Sequence, residues 1–185
     1  FYRWFNVEQG LKRAVLYVSS LGWNVCGLNG KRVGKDLFTP GWTDYNRRVE
    51  YKRYEVKEYL RRGKNLLSCI LGDGWYAGNI SQLGRCNYGD YPLKVIFSLR
   101  LEYPTRVRYI CSDEKTVYSE SEIVSADLQN GENVDARRRQ YPREGKCAFL
   151  PAIAFGDERR RLVPAAAEPV RFFKTFVPKL VREGN

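Results

Sequence analysis

Three glycine-rich segments set aromatic residues beside short polar residues, and they carry most of the chemistry in this sequence. They read Pro40-Gly41-Trp42-Thr43-Asp44-Tyr45, Leu71-Gly72-Asp73-Gly74-Trp75-Tyr76 and Asn87-Tyr88-Gly89-Asp90-Tyr91-Pro92. Gly, Asp and Asn favour turns, so flat aromatic faces and polar acceptors are expected on loops rather than inside strands. This combination is typical of carbohydrate recognition.

The two tryptophans of these segments are the strongest candidates for a binding surface. Trp42 and Trp75 are predicted to offer an apolar platform to the C–H face of a sugar. The alternative is that both indoles fill the rim of the core beneath their loops. The complete set of candidate carbohydrate-binding residues is Trp42, Asp44, Asn46, Trp75, Tyr76, Asn87 and Tyr88.

The elements that must position these loops are predicted to be short strands. The clearest pattern runs from Leu93 to Tyr103, where apolar residues alternate with polar ones, as in a half-buried strand. Similar runs are Ala14 to Val18, Trp23 to Leu28, Val49 to Val56, Leu66 to Leu71, Arg106 to Ser112, Ile123 to Leu128 and Val170 to Val177. Many short strands separated by polar turns predict an all-β fold, an antiparallel β-sandwich or jelly roll with little helix.

Local signals add detail to this architecture. Asn29-Gly30 favours a type I′ turn and predicts a hairpin after the strand that ends at Leu28. A single helical turn is expected over Lys57 to Arg62, closed by Gly63 as a C-cap. Residues 140–168 are predicted to be a long loop or flap within a single domain spanning residues 1–185, and a final strand is expected over Pro169 to Val177.

Composition excludes several classes of enzyme. The 185 residues contain no His, which removes Ser-His and Cys-His catalysis and imidazole metal ligands. The five cysteines, Cys26, Cys69, Cys86, Cys111 and Cys147, lie singly without a Cys-x-x-Cys pair. Most are interpreted as small buried apolar residues, with disulfides or metal ligands as the alternative.

The net charge of +11 raises the question of an anionic partner. A basic nucleic-acid binder is one hypothesis, but no nucleic-acid motif accompanies the charge, which favours a solvated basic surface and no nucleic-acid partner. No apolar run approaches the roughly 20 residues that span a bilayer, so no membrane partner is expected. The sequence begins at Phe1 and is expected to be a piece of a longer protein, and no localisation is predicted from it.

The order of the motifs resembles that of a known family. The motifs are Leu28-Asn29-Gly30-Lys31-Arg32-Val33-Gly34, Pro40-Gly41-Trp42-Thr43-Asp44-Tyr45, Tyr54-Glu55-Val56, Gly63-Lys64-Asn65, Gly72-Asp73-Gly74-Trp75-Tyr76, Tyr88-Gly89-Asp90, Ser112-Asp113-Glu114, Asn130-Gly131-Glu132 and Asp135-Ala136-Arg137. Together they closely resemble the N-terminal, galactose-binding-domain-like β-sandwich of bacterial α-L-rhamnosidases of glycoside hydrolase family 78. The sequence departs from the family near Tyr103-Pro104-Thr105 and after Glu114.

The resemblance implies an accessory domain of a multidomain glycosidase, without catalytic residues of its own. In the family this domain precedes an (α/α)6 barrel, where an acid and a base carboxylate cleave a rhamnosyl bond with inversion. The implied partners are therefore a rhamnose-containing carbohydrate and the catalytic barrel of the same polypeptide, and the chain alone is predicted to be inactive. The alternative is a purely structural scaffold whose aromatic loops pack against that barrel.

The resemblance also implies a metal. In the related carbohydrate-binding module family 67, calcium helps to hold rhamnose through loop Asn and Asp oxygens and a backbone carbonyl. Calcium prefers six to eight oxygen ligands. Asn87, Asp90 and the carbonyl of or before Pro92 are the corresponding candidates here. The alternative is that these residues only form turns, which need no ligand.

Overall fold

The computed structural model describes residues 1–81, 84–85, 88, 92–138, 150–153 and 161–178, which form β-strands with very little helix. In chain order the strands are β1 (Tyr2–Val7), β2 (Arg13–Leu21), β3 (Trp23–Leu28), β4 (Lys31–Arg32), β5 (Val49–Glu55), β6 (Gly63–Gly72), β7 (Asn79–Ser81), β8 (Gly84–Arg85), β9 (Lys94–Glu102), β10 (Val107–Cys111), β11 (Val117–Tyr118), β12 (Ile123–Asp127), β13 (Gly131–Val134), β14 (Leu150–Pro151) and β15 (Leu162–Pro164). The described helical elements are α1 (Gly74–Ala77) and 3₁₀ turns at Lys57–Tyr59 and Ala136–Arg138. No helix in this described part has the length and apolar character needed to cross a membrane.

Two sheets pack face to face, which confirms the predicted all-β sandwich. One sheet has six strands in the order β14-β11-β1-β6-β3-β4, and the other has five in the order β10-β9-β2-β5-β15. Neighbouring strands run antiparallel except β15, which pairs with β5 in parallel. Two small hairpins, β7-β8 and β12-β13, accompany the sheets.

The core lies between the inner faces of the two sheets. Phe97, Leu99 and Leu101 of β9 are buried while the residues between them stay partly exposed, as period-two alternation predicts. The buried core residues are Phe5, Val7, Cys26, Leu28, Val33, Leu67 and Cys69 on the six-stranded side, and Ala14, Leu16, Val18, Val56, Phe97, Leu99, Leu101 and Ile110 on the other. Burying one large aliphatic or aromatic side chain of this kind contributes about 1.5 to 3 kcal/mol.

The hairpin predicted at Asn29-Gly30 is present. Both residues have positive φ, 53° and 81°, as a type I′ turn requires, and Leu28 pairs with Lys31 across it. The Asn29 side chain also reaches the neighbouring strand, because its Oδ1 accepts a hydrogen bond from the backbone N–H of Leu66 at 3.0 Å. The turn is therefore fixed both by its local backbone and by a contact to β6.

The final strand predicted over Pro169 to Val177 is wrong. Val170 makes one isolated bridge to Leu37, and residues 171–178 are not in a strand. The edge of β5 where a last strand could pair is occupied by β15, which precedes this segment in the chain. Two short strands, β14 and β15, also lie inside the 140–168 segment predicted to be a loop, of which 140–149 and 154–160 fall outside the described residues.

The helical turn predicted over Lys57 to Arg62 is shorter than expected. Only Lys57–Tyr59 is helical, as a 3₁₀ turn, because Leu60 already has an extended backbone. Gly63 has the positive φ of a C-cap, 85°, but it begins β6 instead of closing a helix. The strand β1 was not predicted, since aromatic and polar residues in Tyr2–Val7 do not alternate cleanly.

Candidate functional site

Two of the three aromatic segments, together with Tyr88 of the third, converge at one end of the sandwich. Strand β3 begins at Trp23, which pairs with Gly72 at the end of β6, and α1 with Trp75 follows directly. Strand β2 ends in the same region, where Leu21 pairs with Lys94 at the start of β9. Antiparallel register therefore brings together loops that are far apart in the sequence.

Seven aromatic rings of the described residues gather at this end in two groups of ring contacts, which the hydrogen bond from Trp42 to Tyr88 joins. We call them the aromatic cluster. Its members are Trp23, Phe38, Trp42, Tyr45, Trp75, Tyr76 and Tyr88. The indoles of Trp42 and Trp75 are stacked, with ring centroids 5.6 Å apart and an angle of 8° between their planes. The ring of Trp75 stands edge-on to Trp23 at 5.4 Å and 89°. Both arrangements are favoured by the quadrupoles of aromatic rings.

Trp42 presents the outer surface of the aromatic cluster. Its side chain is 56% exposed, and its Nε1 donates a hydrogen bond to the hydroxyl of Tyr88 at 3.4 Å. Trp75 is only partly exposed, between Trp42 and Trp23. Of the two predicted platform residues, Trp42 therefore offers an open face, and Trp75 supports it from behind.

Tyr76 and Tyr45 lie beneath this surface in a second, smaller core. Tyr76 is 9% exposed and Tyr45 is 2% exposed, and their rings meet at 5.5 Å in an edge-on contact. Burial, together with the charge of Glu50, raises the pKa of Tyr45, so the phenol stays protonated at neutral pH. The structure thus places Tyr76 among packing residues, without a free face.

Asp44 and Asn46 form a turn in the loop that follows Trp42. The Asp44 carboxylate accepts a hydrogen bond from the backbone N–H of Asn46 at 3.1 Å and lies 3.4 Å from Nε of Arg47. Such a bond to the backbone two residues ahead is an Asx turn. Both side chains are exposed and lie within four residues of Trp42 in the sequence. Their observed contacts shape the loop, and their role in binding stays a prediction.

Of the three residues predicted to supply calcium ligands, Pro92 is among the described residues. Asn87 and Asp90 lie outside the described residues, and Pro92 is exposed next to the start of β9. Within the described part of the chain, no group of three or more His, Cys, Asp or Glu side chains could hold a metal ion. The predicted set of Asn87, Asp90 and the carbonyl of or before Pro92 stays a prediction.

Asp127 holds the Trp75 loop in place and was not predicted. Its Oδ2 accepts hydrogen bonds from the backbone N–H of Asn79 at 2.7 Å and from Asn79 Nδ2 at 3.0 Å. Its Oδ1 accepts from the backbone N–H groups of Gln129 and Asn130, each at 2.9 Å. Burial acts to raise the pKa of Asp127, but the hydrogen bonds from Asn79, Asn130 and Gln129 outweigh it and lower the pKa.

Trp23, Phe38 and Tyr45 belong to the aromatic cluster but not to the predicted set of binding residues. Tyr45 stands in one of the three glycine-rich segments, whereas Phe38 lies outside them, with its ring 4.8 Å from that of Trp23. Trp23 joins the cluster through the pairing of β3 with β6, which places it opposite Gly72 of the Gly72-Asp73-Gly74-Trp75 motif.

Comparison with known proteins identifies relatives over most of the chain. Residues 9–174 match the family model described as the alpha-L-rhamnosidase N-terminal domain. An alpha-L-rhamnosidase of Streptomyces avermitilis is 42% identical over 179 residues, covering 94% of this chain and 17% of that protein. An alpha-L-rhamnosidase of Formosa agariphila is 30% identical over 138 residues, covering 71% of this chain and 14% of that protein. The chain thus spans less than a fifth of the length of these relatives.

Solved structures give the same match. The crystal structure of the Streptomyces avermitilis alpha-L-rhamnosidase complexed with L-rhamnose superposes with a TM-score of 0.86 at 36% identity, covering 94% of this chain and 17% of that one. The native alpha-L-rhamnosidase of Aspergillus terreus gives a TM-score of 0.82 at 30% identity, covering 88% of this chain and 20% of that one. The sandwich is therefore shared with domains of much longer enzymes.

Proposed function

Because the chain belongs to the alpha-L-rhamnosidase N-terminal domain family, we propose that it is a non-catalytic accessory domain that binds a rhamnose-containing carbohydrate on the aromatic cluster. The stacked pair of Trp42 and Trp75 is the observation that carries this proposal. An exposed indole that is held rigidly from behind offers a flat apolar face without an ordering cost on binding.

The chemistry of the sugar fits such a face. L-Rhamnose carries a methyl group in place of the hydroxymethyl group of L-mannose, which makes one side of the ring more apolar. In this proposal the hydroxyl of Tyr88, which accepts a hydrogen bond from Trp42, and the exposed carboxylate of Asp44 bond the hydroxyls at the rim of the sugar. The L-rhamnose named with the Streptomyces avermitilis structure supports the choice of ligand class.

The carboxylates of the site support a non-catalytic role. Inverting hydrolysis needs two carboxylates about 6.5 to 9.5 Å apart with room for a water molecule. The Asp44 carboxylate is engaged with the turn and Arg47, and Asp127 accepts four hydrogen bonds from the protein. We infer that both carboxylates have structural or binding roles, so an aryl rhamnoside assay on this chain is expected to stay at background.

Isothermal titration with L-rhamnose tests the proposal. We expect a dissociation constant of about 1 mM or tighter, weaker binding of L-mannose, and at least a tenfold loss in Trp42→Ala. Tyr109→Ala is the matched control, because Tyr109 is also exposed, at 57%, but lies on β10 away from the cluster. Titrations with calcium and with a chelator test the proposed involvement of Asn87, Asp90 and Pro92. If L-rhamnose gives no heat of binding with calcium and none with a chelator, the proposal of sugar binding is wrong.

A specific observation favours a structural scaffold as the second candidate. Four apolar side chains of the C-terminal segment are nearly bare: Phe172 at 83%, Phe173 at 97%, Phe176 at 74% and Val177 at 87% exposed. Exposed apolar groups of this extent mark a contact surface. In this second proposal they pack against neighbouring domains of a longer polypeptide, such as a catalytic (α/α)6 barrel.

Quenching of tryptophan fluorescence by acrylamide separates the two candidates. The measurement compares the quenching of Trp42 in this chain and in a longer polypeptide that contains it. In both, the other three tryptophans are replaced so that Trp42 alone fluoresces. If Trp42 stays accessible in the longer polypeptide, the site is free for a sugar. If Trp42 becomes protected and no sugar binds, the aromatic cluster is an interdomain contact and the scaffold proposal holds.

A further inference from the structure

Two cysteines face each other across neighbouring strands at the centre of the six-stranded sheet. Cys26 on β3 pairs directly with Cys69 on β6, and their Sγ atoms are 3.5 Å apart. Both are buried, with 5% and 2% of their surface exposed. Neither takes part in the aromatic cluster.

The backbone hydrogen bonds show what kind of cross-strand pair this is. The N–H of Cys69 donates to the carbonyl of Phe1 at 2.9 Å, and the carbonyl of Cys69 accepts from the backbone nitrogen of Phe1 at 2.9 Å. The carbonyl of Cys26 accepts from Val33 at 2.9 Å, on the side of β4. The polar backbone groups of both cysteines thus point away from each other.

Such a non-hydrogen-bonded pair brings side chains closest together. Its Cα atoms are about 4.5 Å apart in antiparallel sheets, which falls within the range of about 4.4 to 6.8 Å found in disulfides. The folded sheet can therefore hold a bond between the two Sγ atoms after only small side-chain rotations, without displacement of the strands.

We propose that Cys26 and Cys69 form a cross-strand disulfide when the chain folds in the presence of a low-molecular-weight disulfide such as glutathione disulfide. The thiolate of one cysteine attacks glutathione disulfide, forming a mixed disulfide and releasing one glutathione. The second thiolate attacks the protein sulfur of that mixed disulfide and releases the second glutathione. The two protein thiols lose two electrons and two protons, and glutathione disulfide is reduced to two glutathione thiols.

The buried position determines when this exchange takes place. Contact with Cys69 and burial raise the pKa of the Cys26 thiol well above its usual value, so little thiolate exists once the sandwich has closed. A reagent in solution also cannot reach these sulfurs in the folded chain. The bond therefore forms while the strands are still open, and after closure it is shielded from reduction.

The disulfide would link β3 and β6, the two strands that lead to the aromatic cluster. Cys26 and Cys69 lie three residue pairs from Trp23 and Gly72 along the same ladder, a distance of about 10 Å. The bond would join residues 43 positions apart in sequence, which restricts the unfolded chain. The oxidised chain is therefore expected to be more stable than the reduced chain, whether or not the cluster binds a sugar.

Peptide mapping after refolding tests this proposal. The denatured, reduced chain is refolded in a glutathione redox buffer, quenched with acid, and alkylated in denaturant. Trypsin then yields Ala14–Lys31 with Cys26, Asn65–Arg85 with Cys69, and Tyr109–Lys115 with Cys111 on separate peptides. We expect the main product to be the Cys26 and Cys69 peptides joined by a disulfide. We also expect the oxidised chain to have a higher urea midpoint than the reduced chain.

The exposed Cys111 supplies the control. Its strand partner is Ser98, so it has no opposed thiol and is expected to carry a single alkyl label or one glutathione. Refolding of Cys111→Ser is expected to leave the yield of the joined peptides unchanged. Separate alkyl labels on Cys26 and Cys69 after equilibration would overturn the proposal, and so would joining of Cys26 to Cys111 as often as to Cys69.

Discussion

Gly74 lies so close to Trp23 that a Cβ atom added to it would stand 2.6 Å from Cγ of the indole. The backbone of Gly74 also has a positive φ of 56°, which residues with a Cβ adopt at a cost of about 1 to 2 kcal/mol. The glycine before Trp75 is therefore required both by the turn and by the ring against which Trp75 packs. It fixes the spacing between the sheet and the aromatic cluster.

Gly74→Ala is expected to destabilise the chain through both effects. The clash with Trp23 should add about 1 to 3 kcal/mol to the cost of the backbone conformation. Gly131→Ala is the matched control, because Gly131 has a similar φ of 75° with nothing within 4 Å of an added Cβ. Urea unfolding measures both variants, and near-ultraviolet circular dichroism reports the tryptophan environment. An equal loss of unfolding free energy in Gly74→Ala and Gly131→Ala would show that the contact with Trp23 does not contribute to stability.

Tyr45→Phe is expected to loosen the loop that carries Trp42. The Tyr45 hydroxyl donates a hydrogen bond to the carbonyl of Gly41 at 3.2 Å, one residue before Trp42. The variant keeps the buried ring and removes only this bond, which costs about 0.5 to 1.5 kcal/mol. We expect a small fall in the urea midpoint and a several-fold weaker affinity for L-rhamnose. An unchanged affinity with a lowered midpoint would show that this bond does not position Trp42.

The sequence was sufficient to predict the sandwich because its central strands alternate cleanly. Strand β9 follows the pattern directly and contributes three core residues, Phe97, Leu99 and Leu101. The final strand failed for a physical reason: Phe172 and Phe173 have the composition of a strand, but strand formation needs a free sheet edge. Whether such an edge is free depends on β15, which no local pattern reveals.

The aromatic cluster was partly predictable for a related reason. Trp42 and Trp75 stand in glycine-rich turns, which marked them as loop residues. Trp23 and Asp127 join the site only through long-range register and hydrogen bonds, 48 positions apart in the case of Asn79 and Asp127. Asp127 precedes the Asn130-Gly131 turn, so its sequence signal was that of ordinary turn chemistry.

Asn65→Asp is expected to destabilise the chain although the two side chains have the same shape. Asn65 is 1% exposed, and its Nδ2 donates to the carbonyls of Arg61 at 2.7 Å and Gly63 at 2.8 Å. A carboxylate would place an acceptor against these two acceptors and leave them unsatisfied, at about 1 to 3 kcal/mol each.

Asn133→Asp is the control for this change, because Asn133 also donates through Nδ2, to Ser125 Oγ at 2.9 Å, but is exposed. Urea unfolding at neutral pH measures both variants. We expect a large fall in the midpoint for Asn65→Asp and little change for Asn133→Asp. Similar midpoints for Asn65→Asp and the unchanged chain would show that the two donor bonds of Asn65 contribute little.

Asp127→Asn is expected to remove a part of the stability that depends on pH. The pKa of Asp127 is lowered in the folded chain from its ordinary value of 3.8. Between the two pKa values the unfolded chain binds more protons, so stability falls as the pH falls. The contribution is fully present above the ordinary value and is lost as the pH passes down through the lowered one.

The variant loses this contribution because an amide has only one acceptor oxygen where the carboxylate has two. Its nitrogen would face either the donors of Asn79 or those of Gln129 and Asn130. Asp127→Asn should therefore be less stable than the unchanged chain at pH 7, and the difference in free energy of unfolding should shrink as the pH falls from about 5 to about 2. Asp135→Asn is the comparison: hydrogen bonds from Arg137 lower the pKa of Asp135 as well, but Arg137 is exposed, so we expect a smaller pH-dependent difference for this variant. If the difference in free energy of unfolding between Asp127→Asn and the unchanged chain stays constant down to about pH 2, the carboxylate charge does not hold the Trp75 loop.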